Sequence, residues 1–144
     1  MFGGKELKSD EISKEEIQSL VDIALDDLDS SKTLCKSGNY RNSISLAYYS
    51  MFSMSRALLL IKGFTPKTHK GLISLLGQEY VRNEGFDAGL ASEFSATQTI
   101  RENASYAFVG DFTKEQAVDK INLAERFIEE CRKFLKDYLE PFSK

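Results

Sequence analysis

A chain of 144 residues fits one domain and can bury roughly two thirds of the surface that its unfolded form exposes. Hydrophobic residues make up 42% and charged residues 28%, a balance that excludes low-complexity and fibrous classes. The net charge of −3 excludes a globally basic nucleic-acid binder, so any RNA site must be a local cationic cleft whose affinity depends on salt.

Residues 1–10 are polar, contain Gly3-Gly4 and lack an apolar run, so they read as a flexible N-terminal segment and not as a signal peptide. One domain is expected over residues 11–140, in the cytoplasm. Ser13-Lys14-Glu15-Glu16 has the spacing of a capping box. Ile17, Leu20, Val21, Ala24, Leu28, Ser31 and Cys35 follow at three- and four-residue steps, predicting a first helix over 13–37. Gly38 supplies a left-handed stop. Asp22, Asp26, Asp27 and Asp29 fall mostly off that stripe and read as a solvated face, although such spacing can also hold Mg²⁺.

Asn39 is positioned to cap a second helix running to about Lys62 and stopped by Gly63. From Ile44 to Ile61 it is apolar on nearly every side, which suits either a membrane span or the central element of a bundle. Serines and Arg56 interrupt the run before it reaches about 18 uninterrupted apolar residues. The central-helix reading is therefore preferred, with no membrane. Arg56, placed within that run, is expected to need a buried partner such as Glu79 or Glu93.

Pro66 biases Thr65 away from helix, so residues 63–67 form a loop and Thr68 caps a third helix with Leu72, Ile73, Leu75, Leu76 and Tyr80 inward. A fourth helix begins near Asp87, carries Leu90, Phe94, Thr97, Ile100, Arg101, Ala104 and Phe108, and ends at Gly110-Asp111. Thr113-Lys114-Glu115-Gln116 is a second capping box and opens a last helix to about Leu139. No segment alternates with period two. The expected fold class is all-α, an antiparallel up-and-down bundle of about five helices.

Cys35 and Cys131 lie far apart on apolar stripes and read as buried small hydrophobes, and with His69 as the single histidine neither a zinc site nor any other cofactor is expected. His69 is the one side chain whose ordinary pKa lies near neutrality. In Lys67-Thr68-His69-Lys70 it either forms a phosphate or RNA edge with Lys67 and Lys70, or bonds a carbonyl to lock the loop. The second alternative is preferred. Tyr40, Tyr48, Tyr49 and Phe52 recur at helical spacing and read as core or subunit interface.

Two stretches carry a resemblance: Tyr40-Arg41-Asn42-Ser43-Ile44-Ser45-Leu46-Ala47-Tyr48-Tyr49-Ser50-Met51-Phe52, with Pro66-Lys67-Thr68-His69 after it, and Arg101-Glu102-Asn103-Ala104-Ser105-Tyr106-Ala107-Phe108. Together they resemble the HEPN domains of archaea and bacteria, over about residues 10–140. The resemblance implies a homodimer in which Arg-bearing fourth helices line a cleft between subunits. It also implies a partner, since members are often encoded beside a minimal nucleotidyltransferase as toxin and antitoxin. Some members cleave RNA without a metal, and others only bind nucleotides or partners.

In that family an Arg, four to six residues and a His form the cleaving site. Two copies meeting across a dimer axis would offer a base for the 2′-hydroxyl and a guanidinium for the phosphorane-like state. Here Arg101 is present and Tyr106 stands where the His would be. A phenol with a pKa of about 10 is a poor proton acceptor at neutral pH. Some related toxins carry a nucleotide-accepting Tyr two residues beyond the His, but that position is Phe108. The expected site is therefore Arg101 and Tyr106, with Asn103, Ser105, Lys67, His69, Lys70 and Arg41 as nucleotide or RNA contacts. The expected activity is a weak or absent RNase. An active metal-independent endoribonuclease recruiting Tyr106 or His69, and a nucleotide-binding or structural module, stand as alternatives.

Overall fold

The computed structural model describes residues 13–104 and 111–139, with side chains through 102 and again from 111. Among them are five α-helices and no strand: α1 (Lys14–Lys36), α2 (Tyr40–Ile61), α3 (His69–Leu76), α4 (Ala88–Ala104) and α5 (Lys114–Leu135). The all-α bundle expected from the periodicity is what the chain forms. Local capping signals also fix most of the boundaries. Ser13 caps α1 by accepting the N–H groups of Glu15 and Glu16, without a return bond from Glu16. Thr113 and Gln116 form the full reciprocal box at α5.

The two ends around the α1–α2 corner follow one rule. Gly38 takes φ 84°, and Asn39 then donates its N–H to the Leu34 carbonyl at 2.8 Å, closing the last turn of α1. Gly63, at φ 85°, does the same for α2, with Phe64 N–H on Leu59 C=O at 2.9 Å. Only glycine occupies that left-handed region without strain. Asn39 makes no side-chain cap to α2, contrary to expectation, and its ψ of 71° departs from the extended backbone of the capping residues Ser13, Thr68 and Thr113.

α2 is the central element, packed by α1, α3, α4 and α5. By length and composition it is apolar enough to cross a membrane, but 67% of its apolar window is buried inside the bundle. Its serines make this close packing workable. Ser31 of α1 donates to the Ser43 carbonyl at 2.6 Å, and Ser43 donates back to the Ser31 carbonyl at 2.8 Å. Small side chains let the helices approach, and the reciprocal bonds satisfy both buried hydroxyls. Arg56 is not buried. It is exposed on α2 and lines a cleft of about 290 Å³ with Glu16, Ser19 and Phe64, so the expected pairing with Glu79 or Glu93 does not arise.

Past α3 the chain widens into a π-helical turn over Gly77–Arg82. Lys62 clamps this turn: its ammonium donates to the Glu79 carbonyl at 2.7 Å and to the Glu84 carboxylate at 2.9 Å, and lies 4.7 Å from the Tyr80 ring centroid. The buried Tyr80 hydroxyl donates to the Leu58 carbonyl. α4 then starts at Asp87, whose side chain accepts the Leu90 N–H at 3.0 Å. Phe94 on α4 stacks against Tyr48 of α2 and packs at a tilt against Phe127 of α5, with ring centroids 5.3 and 4.9 Å apart. That aromatic row sets the distance of α4 from α2, and hence where Arg101 comes to rest.

Candidate functional site

The site is assembled by segments of α2, α3 and α4. Thr68 caps α3 by accepting the Gly71 N–H at 2.9 Å, so His69 and Lys70 occupy the first turn of that helix. On α4, Phe94, Thr97 and Arg101 follow at helical steps, with the first two buried and Arg101 half-buried. Tyr48, Tyr49 and Phe52 of α2 form the floor.

Arg101 lies over that floor, with its Cζ 5.3 Å from the Tyr49 ring centroid and 5.7 Å from that of Tyr48. A guanidinium stacked on aromatic faces keeps its edge donors available. Its Nε is shielded from solvent and has no hydrogen-bond partner among the described residues, and the same holds for the Gln98 side-chain oxygen one turn earlier. Arg101 makes no ion pair among the described residues.

His69 is held from two sides. Its ring stacks on Phe52 at 4.5 Å and on Tyr48 at 5.7 Å. Its Nδ1 lies 2.7 Å from the Tyr48 hydroxyl. The expected bond to a backbone carbonyl is therefore replaced by a side-chain bond to a buried tyrosine. Burial, with Arg101 second, pushes the imidazole pKa below its ordinary 6.5. Burial pushes the Tyr48 phenol up, against the opposing pull of Arg101. Both groups are thus driven toward their neutral forms.

His69, Lys70 and Arg101 line one open cleft of about 410 Å³, together with Gln98, Ser95 and Glu102. The arrangement offers stacked cationic and neutral N–H donors to an anion, with one carboxylate at the margin. Lys67 is exposed on the preceding loop and Arg41 is half-buried on the first turn of α2; neither lines this cleft. Asn103 lies on α4 with its side chain outside the description, and Ser105 and Tyr106 lie outside the described residues altogether. Residues 1–10 do as well. No group of three or more His, Cys, Asp or Glu side chains converges among the described residues, and Cys35 and Cys131 are buried as free thiols.

Sequence reasoning assigned Tyr48 to the core or an interface and passed over Gln98. The available signal was spacing: Gln98 precedes Arg101 by one turn, and Tyr48, Tyr49 and Phe52 are neighbours on α2. What no spacing could supply is that α3 folds back to put an imidazole beside Arg101.

A family profile described as the HEPN domain matches residues 17–134. Two archaeal relatives from Methanocaldococcus jannaschii, each named "Putative toxin", are similar along most of their length. The first is 35% identical over 127 residues, covering 88% of this chain and 93% of the relative. The second is 30% identical over 122 residues, covering 85% and 83%.

Proposed function

We propose, because this chain belongs to the HEPN domain family, that it is the toxin-side component of a toxin–antitoxin or stress module. In this reading it is a cytoplasmic homodimer that works with a nucleotidyltransferase-type partner. The provisional toxin names of two relatives support the module. The Arg101 cleft binds the phosphate groups of RNA or nucleotide, and RNase activity is weak or absent.

One observation carries the binding role. The Arg101 guanidinium is stacked on Tyr48 and Tyr49, unpaired by any carboxylate among the described residues, in a cleft shared with His69 and Lys70. A net-negative protein that leaves a guanidinium unneutralised in a cleft has a local site for an anion. The weak activity follows from Tyr106 at the position where the family places its His, since a phenol supplies almost no base at neutral pH.

The deciding experiment incubates purified full-length protein with single-stranded and structured RNA in the absence of metal. The expected result is binding that Arg101→Ala removes, with little or no cleavage. Rapid cleavage abolished by Arg101→Ala would instead establish an endoribonuclease. Calorimetry with ATP and GTP separates RNA from free nucleotide as the ligand. Sedimentation tests the dimer, and co-purification with a small nucleotidyltransferase encoded by the adjacent gene tests the partner.

The proximity of His69 to Arg101 supports a second reading, an active metal-independent ribonuclease with His69 as proton acceptor.

A further inference from the structure

We propose that His69 is a fixed hydrogen-bond donor to a phosphodiester oxygen seated against Arg101, oriented by Tyr48, and that it is not a base for the 2′-hydroxyl. This deepens the phosphate-binding reading above and rests on it. It also decides between the two readings of His69, because donor and base need opposite tautomers of the same ring.

The argument is one of proton accounting. The Tyr48 hydroxyl lies 2.7 Å from His69 Nδ1, and one proton lies between them. Tyr48 is fully buried, and its hydroxyl has no other hydrogen-bond partner among the described residues. If Nδ1–H donated to the phenol oxygen, the phenol's own proton would be left buried without an acceptor, which is costly. If Tyr48 donates to Nδ1, every proton is placed. The imidazole then carries its hydrogen on Nε2, at the ring edge away from Tyr48.

Protonating the ring would undo this arrangement. Both nitrogens would become donors, the Tyr48 proton would again have no acceptor, and a second cation would stand beside Arg101. The charged and titratable groups around the ring are Tyr48 and Tyr49 from α2, Lys70 from α3, and Arg101 and Glu102 from α4. Burial and then Arg101 disfavour the imidazolium, against a smaller opposing pull from Glu102. The lone pair that a base requires is already engaged by Tyr48. What remains for a ligand is one neutral N–H, beside a guanidinium and an ammonium. Such a set holds a phosphodiester without drawing a proton from it.

Positioning by Tyr48 and donation by His69 are separable by experiment. The first measurement needs no ligand: ¹⁵N-resolved NMR of the single histidine in the full-length protein at pH 7. An Nε2–H tautomer is expected, giving way to a tautomer mixture in Tyr48→Phe, which preserves the ring stack. The second uses a fluorescein-labelled oligouridylate at fixed salt, whose diester oxygens do not titrate near neutrality. His69→Gln retains an N–H near the Nε2 position but cannot serve as a base. Its affinity is expected within about threefold of wild type, whereas His69→Ala should lose about tenfold, as for one hydrogen bond to a charged group.

An Nδ1–H tautomer would overturn the donor role alone. Equal losses in His69→Gln and His69→Ala would also overturn it, as would metal-free cleavage that His69→Gln abolishes. Wild-type protein that does not bind oligouridylate at all would remove the phosphate reading, and the donor role with it.

Discussion

Glu130 on α5 accepts the backbone N–H of Asp87 at 2.8 Å, so the start of α4 is fixed by a carboxylate from the helix beneath it. The carboxylate is nearly buried, at 9% exposure, and its other oxygen takes Lys133 at 2.8 Å. Asp87 in turn caps α4 through its own side chain. Glu130 therefore acts on the site indirectly, by setting where the Arg101-bearing helix begins. Glu130→Ala should destabilise the protein by about 2 kcal/mol, the scale of a charged hydrogen bond, read as a lower urea midpoint. Glu130→Gln, which keeps an acceptor for the Asp87 N–H, should lose less than half of that.

The two helix starts predicted from capping residues behave differently, and this yields a paired test. Thr113 accepts the Gln116 N–H at 3.1 Å and Gln116 returns a bond from its side chain to Thr113 N–H at 2.9 Å. Thr113→Ala breaks this box and should cost about 1 kcal/mol. Asn39 makes no side-chain cap, so Asn39→Ala should cost no more than a few tenths of a kcal/mol. A comparable loss in both variants, measured by equilibrium unfolding, would show that the α2 cap forms in solution after all.

The same contrast shows what was legible in the sequence. Helix count, order and the inward stripe of α1 followed from three- and four-residue periodicity, because burial of one face is a local pattern. Gly38 and Gly63 marked ends correctly because a left-handed residue closes the turn whatever surrounds it. Arg56 was misread because being embedded in an apolar run does not fix which way a side chain points. The Gly77–Arg82 π turn left no trace in composition. It is held by Lys62 and Tyr80 reaching across to other segments, and such tertiary ties are invisible to windows of local sequence. The candidate site divides in the same way. Arg101 was found by motif, and the Tyr48–His69 bond joins residues 21 apart in sequence.

Arg101 offers a separation of charge from shape. Lysine keeps the charge but loses the planar face that stacks over Tyr48 and Tyr49. Arg101→Lys should weaken oligouridylate binding by about tenfold while leaving the slope of log K against log salt unchanged. Arg101→Ala should weaken binding further and reduce that slope by about 0.7, the contribution of one single-strand phosphate contact. Identical slopes in all three proteins would mean that Arg101 does not neutralise a phosphate.

The protein's stability should fall on mild acidification, and for a nameable reason. His69 is the single histidine, and its folded-state pKa lies below the ordinary 6.5 because of burial first and Arg101 second. Between those two values the unfolded chain binds a proton that the folded chain refuses. Stability is therefore whole above about pH 6.5 and declines as pH drops through that value toward the folded pKa. Asp27 works the other way: burial, then Asp26, raises its carboxyl above 3.8, so its protonation favours the folded form at lower pH. The two effects separate in His69→Gln, which should abolish the decline between pH 7 and 6 and leave the Asp27 contribution intact. Tyr48→Phe should shrink the same decline, since the ring can then take a proton without stranding a phenol hydrogen. Urea midpoints at pH 7.5, 6.5 and 5.5 for the three proteins provide the measurement. A wild-type decline that persists unchanged in His69→Gln would show that the imidazole titrates alike in the folded and unfolded chain, free of the Tyr48 contact.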